Sequence, residues 1–419
     1  MLGCAVRLIW LGNMLIRNAT IVTPFGEQVG DCLIRDGRIA ALGEGISAEN
    51  IPSLDATNHY LCAGFIDLQC NGGFGHDFTA NPDTIWPVAA QLPQFGVTAF
   101  LPTIITSPST TVEKAQNVFA GGRQTMDDGR QIGGHAMPLG LHLEGPFLNP
   151  QKKGAHNAAH LRTPAADVVH DWSPASGVCL VTLAPELPDA DRVIQTLVEN
   201  GVIVSAGHSM GTYAEAGRAF DWGVRYGTHL FNAMPPLHHR QPGLAAALLA
   251  DERVTVGLIP DGVHVHPDLI KLVWRLANGR LNVVTDAMAA MGCDDGAYQL
   301  GDQQVTVRDG TARLPNGTLA GSVVTLDQAV RNLRRWTGCS VADAMRTVTA
   351  IPADLLGLPH KGRVSVGSDA DLVLLDSQLN VCRTWVDGEL VFALPSNSVA
   401  PRAELVEARP HRQAQGAAS

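Results

Sequence analysis

The sequence predicts an α/β protein, a (β/α)8 TIM-like barrel with a small β-sandwich built from both chain ends. Three observations predict it. Between residues 63 and 358, eight apolar runs rich in Val, Ile and Leu are interleaved with helical stretches. Six of the eight runs end on a polar or acidic residue, as expected at the carboxyl end of a buried parallel strand. Short alternating strands, rather than further strand–helix units, flank this middle segment on both sides.

In chain order, residues 1–13 (MLGCAVRLIWLGN) read as a non-essential leader. LGC resembles a lipoprotein cleavage box, but no apolar stretch precedes it and Arg7 interrupts the apolar residues after it. Residues 14–62 contain LIRNATIVTP, DCLIRDGRIAALG and HYLCAG, short strands joined by turns such as Arg35-Asp36-Gly37-Arg38. The barrel strands over 63–358 are GFIDLQ, VTAFLPTI, MPLGLHLE, VCLVTLAPE, GVIVSAGH, GVRYGTHL, VTVGLIPD and LNVVTD. Helical stretches such as PDADRVIQTLVENG and TYAEAGRAFDWG lie between them and end on Gly. A doubly wound sheet is the rival fold, but it does not usually spread polar residues over so many strand ends. Residues 359–396 return to strand texture, with Val386-Asp387-Gly388-Glu389 as a hairpin signal. The two strand-rich ends are expected in one discontinuous domain, with two separate β pieces as the alternative. The polar, Ala-rich tail at 397–419 is expected to be disordered.

Composition narrows the function classes. The chain has 419 residues, 45% hydrophobic and 17% charged, which suits a soluble protein with a large core. Its net charge of -10, with Lys and Arg scattered, argues against nucleic acid as a partner. No run approaches the ~18 apolar residues of a membrane span, and a cytoplasmic location is expected. The eight cysteines form no CxxC pair, so reduced, buried thiols are expected instead of a disulfide framework or zinc knuckle. Cys70 lies near the candidate site and is read as a packing residue.

Four strand ends carry chemistry: Glu144 in LGLHLEGPF, His208 in VIVSAGHS, His229 in YGTHLFNAM and Asp286 in LNVVTDAM. A barrel brings such ends together on one face. Three ligands of His and carboxylate type with an open position make a hydrolytic metal site, and Glu144, His208 and His229 supply that set. Asp286 is placed to take a proton from water and return it to a leaving amine. Each residue alone has a plainer reading, the histidines as structural hydrogen-bonders and Asp286 as a helix cap. Together they indicate a metal-dependent hydrolase.

The strings LHLEGPFLN, KKGAHN, VTLAPE, VSAGHS, THLFNAM, RQPGLA, DGVHV, VTDAM and GTLAGS occur in this order. In these motifs, over residues 14–393, the chain resembles the N-acetylglucosamine-6-phosphate deacetylase family of the amidohydrolase superfamily. The resemblance implies metal ligands at Glu144, His208 and His229, with Asp286 as general base and acid. It places substrate contacts at Ala155, His156, Asn232, Ala233, Arg240, Asp261, Gly262, Val263, His264, Leu319, Ala320 and Gly321. It also implies a homodimer in which Arg240 reaches the neighbouring subunit's site. The expected reaction gives glucosamine 6-phosphate and acetate; the galactosamine epimer, another amidohydrolase activity or a catalytically silent scaffold are the alternatives.

Many amidohydrolases carry His-x-His after the first strand, whereas FIDLQCNG has Gln69 and Asn71 there. An amide is a poor ligand for a zinc-like ion but a good hydrogen-bonder to water. One divalent metal per subunit is therefore predicted, Zn²⁺ first with Fe²⁺, Co²⁺ or Mn²⁺ as alternatives, and Gln69 as a water-positioning residue. For a phosphorylated sugar, Arg240 and His264 are the candidate charged donors, with backbone N–H groups near Asn232 and Ala233. Arg240 alternatively reads as a solvated surface charge, since HHRQPG looks like an exposed turn. His156 is expected to polarise the acetyl carbonyl. His142 shares the strand face of Glu144 as a partner or as packed core, and Glu186 is expected to hydrogen-bond within the site without being a ligand.

Overall fold

The structure, a computed structural model, describes residues 13–122 and 134–395. Eight parallel strands make the barrel: β1 (Phe65–Cys70), β2 (Val97–Ile105), β3 (Leu141–Glu144), β4 (Val178–Leu183), β5 (Ile203–Ala206), β6 (Tyr226–Gly227), β7 (Thr255–Leu258) and β8 (Leu281–Val283). Each pairs with the next in sequence order. The ring closes just past β8, where Asp286 N–H donates to the Gln69 carbonyl and Asn71 N–H to the Ala287 carbonyl, both at 2.8 Å. Cys70 and Ala287 form a parallel bridge at this seam.

Burial on both faces explains the continuous apolar runs. All nine residues of β2, VTAFLPTII, are buried. Inward-facing Ile66, Leu68, Ala99, Leu101, Leu180 and Tyr226 pack in one cluster. The outer faces meet helices, among them α1 (Ala190–Glu199), which buries Val193, Ile194 and Leu197 at helical spacing. The next, α2 (Tyr213–Trp222), begins on a capping box between Thr212 and Glu215 and stops at Gly223 with φ 119°. A cap of this kind contributes about 1 kcal/mol. After β3 the chain forms short 3-10 turns at Pro150–Lys152, Ala158–His160 and Ala166–Val168 instead of a long helix. This irregular segment carries His156.

Both chain ends enter one mixed sheet of eight strands. Tyr60–Ala63 pairs antiparallel with Leu372–Leu375, and parallel with Met14–Thr23. The sheet has its own core, in which Ile16, Ile21, Ile34 and Leu61 pack with Leu372, Leu374 and Trp385. Two separate β pieces are thereby excluded. The leader expected at 1–13 and the tail expected at 397–419 lie outside the described residues, apart from Asn13, whose side-chain oxygen accepts from Asp36 N–H at 3.1 Å.

Two features depart from the expected pattern. The run GVRYGTHL is strand only at Tyr226–Gly227, because the chain leaves the ladder early to turn His229 inward. A three-stranded antiparallel flap (Gly296–Leu300, Gln303–Arg308, Thr311–Arg313) follows β8, which the barrel pattern did not foresee. Its Leu300, Val305, Val307 and Ala312 pack with Ala155, Met288 and Ala320 at the barrel mouth. Among the described residues Cys32, Cys62, Cys70, Cys293, Cys339 and Cys382 are free thiols, and no helix is long and apolar enough to cross a membrane. Cys70 is buried, and burial pushes its thiol well up.

Candidate metal centre

The strand ends place the chemistry through an unusual backbone. Glu144 is the last residue of β3, while His208, His229 and Asp286 lie just past β5, β6 and β8. Those three have φ of 48°, 29° and 47°, the left-handed region that costs an L-residue about 1–3 kcal/mol. Each left-handed turn ends its strand where the side chain enters the barrel mouth. Before His208, a Cβ on Gly207 would lie 2.8 Å from Thr228 Cβ and 2.9 Å from Thr182 Cγ2, so glycine alone fits.

Glu144 is the centre of the cluster. Its Oε1 lies 3.1 Å from His208 Nε2 and 3.0 Å from His229 Nε2, and those two nitrogens are 3.1 Å apart. Three atoms so close, all buried, suit a cation: tetrahedral ligands about 2.0–2.1 Å from an ion sit roughly 3.3 Å from one another. Glu144, His156 and His208 also place ligand atoms within 4.8 Å of one another. Burial works to raise the Glu144 carboxyl, but the close approach of the His156, His208 and His229 rings overcomes it and holds the group well below the usual range.

Hydrogen bonds on the far side of each ring separate the histidines. His208 Nδ1 is 2.8 Å from the Lys152 carbonyl. A carbonyl can only accept, so Nδ1 carries the proton and the Nε2 lone pair faces the cluster. His156 has the opposite arrangement, because Thr106 N–H donates to its Nδ1 at 3.3 Å. Its proton therefore sits on Nε2, 3.6 Å from Glu144 Oε2. Burial, then the neighbouring His208, pull this ring down to about 4, so it is neutral at pH 7. His156 is thus a donor facing the cluster, and His208 an acceptor. His229 Nδ1 is buried without a hydrogen-bond partner.

Asp286 stands on the other side. Gln69 Nε2 donates to both Glu144 Oε1 and Asp286 Oδ1 at 3.1 Å. Asn71 Nδ2 adds a bond of 2.7 Å to the same Asp286 oxygen. Burial, then the Glu144 charge, push the Asp286 carboxyl up to about 6. A carboxyl in that range can accept and return protons near neutral pH. Thr285, which precedes it, is held by Asp67, whose Oδ2 accepts from the Thr285 hydroxyl at 2.6 Å. Burial pushes Asp67 itself up to about 7.

The remaining predicted residues surround this cluster to different degrees. His264 is half-buried, with Nδ1 2.6 Å from Asp261 Oδ2. Asp261 Oδ1 also accepts from the N–H groups of Val263 and His264 at 2.8 Å, closing the turn through Gly262. Asn232 Nδ2 donates to the carbonyls of His229 and Leu230, and the Ala233 carbonyl accepts from Ser209 N–H. Leu319 bridges to Arg313 of the flap, Ala320 packs with Ala155, and a Cβ on Gly321 would lie 3.0 Å from the Asp286 carbonyl. Arg240 stands apart: it is exposed, and its guanidinium contacts His239 at 2.7 Å.

Sequence reading missed three contributors. The Lys152 carbonyl and the Thr106 amide set the His208 and His156 tautomers, and backbone groups leave no residue signature. Asn71 was seen as a missing ligand, not as a donor to Asp286. His142 proves to be a structural partner: burial pulls its ring down to about 4, Nδ1 faces the Leu68 carbonyl at 3.1 Å, and Nε2 faces the Thr182 hydroxyl at 2.8 Å.

The sequence model of the amidohydrolase family matches residues 60–391. The chain is 40% identical over 357 residues to the N-acetylglucosamine-6-phosphate deacetylase of Rattus norvegicus, covering 81% of this chain and 85% of the relative. The enzyme of that name from Bacillus subtilis (strain 168) is 36% identical over 393 residues, covering 91% and 97%. Among solved structures, N-acetylglucosamine-6-phosphate deacetylase from Pasteurella multocida superposes with a TM-score of 0.84 at 32% identity, covering 90% of this chain and 99% of that one. A variant of the Mycobacterium smegmatis enzyme in complex with N-acetyl-D-glucosamine-6-phosphate gives 0.82 at 34% identity, covering 90% and 99%.

Proposed function

We propose, for a chain that belongs to the N-acetylglucosamine-6-phosphate deacetylases of the amidohydrolase family, that Glu144, His208 and His229 hold one divalent ion, Zn²⁺, beside Asp286. The carrying observation is the triangle of Glu144 Oε1 and the two Nε2 atoms, 3.0–3.1 Å on each side. With its lone pair engaged by Thr106 N–H and a proton on Nε2, His156 suits donation to substrate better than metal ligation. Gln69 and Asn71 bond to carboxylates as donors, which supports a single ion. When bound, that ion supplies Lewis acidity to the acetyl carbonyl and acidifies water.

The chain's own residues do the rest. His156 donates its Nε2–H to the acetyl oxygen as charge develops there. Asp286 takes the proton of the attacking water and delivers it to the departing amine of glucosamine 6-phosphate. Gln69 and Asn71 fix its carboxylate while this happens. His264 and the backbone near Asn232 and Ala233 face the sugar phosphate, and Arg240 completes that site from a neighbouring subunit of a homodimer. Exposure of Arg240, together with exposed Leu269, Leu272 and Leu276 along the helix Pro267–Ala277, supports such an interface. The buried free thiols of Cys32, Cys62 and Cys70 suit a reducing, cytoplasmic setting.

Acetate release from N-acetylglucosamine 6-phosphate tests this reading, with the galactosamine epimer and the unphosphorylated sugar in parallel, before and after chelation and Zn²⁺ return. Fast, metal-restored turnover of the first substrate is expected. Turnover of the epimer alone would overturn the substrate, and two tightly bound metals per chain would overturn the single-ion site.

A further inference from the structure

β4 is the one strand from β3 to β6 that brings no residue into the cluster of Glu144, His208 and His229, yet its loop supplies a carboxylate that ties the others together. Glu186, three residues past β4, accepts three hydrogen bonds. Asn149 Nδ2 in the loop after β3 donates to Oε1 at 2.9 Å. Met210 N–H, after β5, donates to the same oxygen at 2.6 Å. The Ser209 hydroxyl donates to Oε2 at 2.6 Å. The Asn149 amide cannot turn away, because its oxygen already accepts from Gln151 N–H at 2.9 Å.

The clamped loops in turn contact His208 and its neighbours. Asn149 N–H donates to the His208 carbonyl at 2.9 Å, and the Lys152 carbonyl, three residues on, accepts from the ring Nδ1–H. Ser209 N–H donates to the Ala233 carbonyl in the loop that follows His229, at 3.1 Å. Lys152 Nζ reaches the Met234 carbonyl of that same loop at 2.9 Å. His208 has a left-handed backbone that relaxes unless its neighbours hold it.

We infer that Glu186 is a positioning residue for the metal centre. By clamping the loops after β3 and β5, it fixes the backbone and ring of His208 against Glu144 and His229, and so sets the affinity for the ion. The inference rests on the proposed metal site.

The test is Zn²⁺ affinity of the full-length protein, stripped of metal and titrated against a chromophoric chelator, for the parent and for Glu186→Ala, Glu186→Gln and Ser209→Ala. Loss of a group behind a metal ligand typically weakens binding about 10–100-fold, and that is the expected rise in Kd for Glu186→Ala. Glu186→Gln should recover to within about five-fold of the parent: its oxygen still accepts from Met210 and Asn149, and its amide can donate to the Ser209 oxygen. At saturating Zn²⁺, KM for N-acetylglucosamine 6-phosphate should stay within about two-fold of the parent while kcat carries any residual loss. A residue of purely structural importance would lower the melting temperature and leave Kd alone. If Glu186→Ala does not fold, Ser209→Ala carries the test with an expected rise of several-fold. A Kd within about two-fold of the parent in the variant tested overturns the clamp. A parent that takes up no Zn²⁺ stoichiometrically overturns the metal assignment itself, and the clamp with it.

Discussion

Replacing Asp286 with Asn tests the assignment of base and acid more cleanly than any other substitution in the site. The Asn oxygen can occupy the Oδ1 position and keep the bonds from Gln69 at 3.1 Å and Asn71 at 2.7 Å. Size and burial are unchanged, so only the charge and its basicity go. General acid–base catalysis is worth about 10²–10⁴-fold, and the proposed mechanism uses Asp286 as base and as acid within one turnover. A fall in kcat of at least about 10³-fold is expected, about 4 kcal/mol of transition-state stabilisation. KM should move by less than about three-fold, because the substituted group meets water and the amine, not the phosphate. Burial and the Glu144 charge raise the Asp286 carboxyl in the folded protein. Its ionised form therefore costs stability once pH rises through that raised value, and metal-free Asp286→Asn should melt no lower than the parent at alkaline pH. Acetate release, metal content by elemental analysis and thermal melts of both proteins give the readouts. A variant that keeps more than a few per cent of the parental rate refutes Asp286 as the base, and one that loses its metal refutes the separation of base from ligands.

Three further outcomes are expected. Arg240→Ala should raise KM sharply for the phosphorylated sugar and little for the unphosphorylated one; equal effects on both would remove Arg240 from the phosphate site. Burial pushes Asp77 up to about 6 from 3.8, and its Oδ2 lacks a partner. Its folded-state value lies above its unfolded one, so its contribution is full below about pH 4 and lost as pH rises through about 6. Asp77→Asn should therefore gain about 3 kcal/mol relative to the parent between those limits in urea unfolding, and a pH-independent difference would refute this. Gly207→Ala forces a methyl to 2.8 Å from Thr228 Cβ; a loss of about 1–3 kcal/mol together with weaker metal binding is expected, and a variant with unchanged melting temperature would contradict the packing described.

Much of the site could be read from the sequence because a parallel barrel turns linear patterns into a spatial one. Once VVTD and VSAGH were strands, Asp286 and His208 had to share a face. The flap could have been read from VTVRDGTARL, where Val305 and Val307 alternate with polar residues before the Asp309-Gly310 turn. The habit of expecting a helix after each strand hid it. The left-handed backbone of His208, His229 and Asp286 was not legible, because only a few per cent of non-glycine residues adopt it and the surrounding contacts impose it here. Nor was the proton on each imidazole, which depends on whether a carbonyl (Lys152) or an amide (Thr106) lies behind the ring. Resemblance to a family supplied roles for Arg240 and His156, whereas the 3.6 Å approach of His156 to Glu144 came from the fold.

The sheet shared by both chain ends sets an order of events during synthesis. Tyr60–Ala63 leaves the ribosome early, but its antiparallel partner, Leu372–Leu375, follows roughly 300 residues later. At about 5–20 residues per second, the wait is about 15–60 s. Throughout it, Leu61 and the open hydrogen-bonding edge of Tyr60–Ala63 have no native cover on that side, a template for pairing with another nascent chain. All the barrel strands, and the seam residues Gln69 and Asp286, are synthesised within that interval. Crowded polysomes and slow translation should therefore lower the yield of soluble protein before either affects the activity of the molecules that finish.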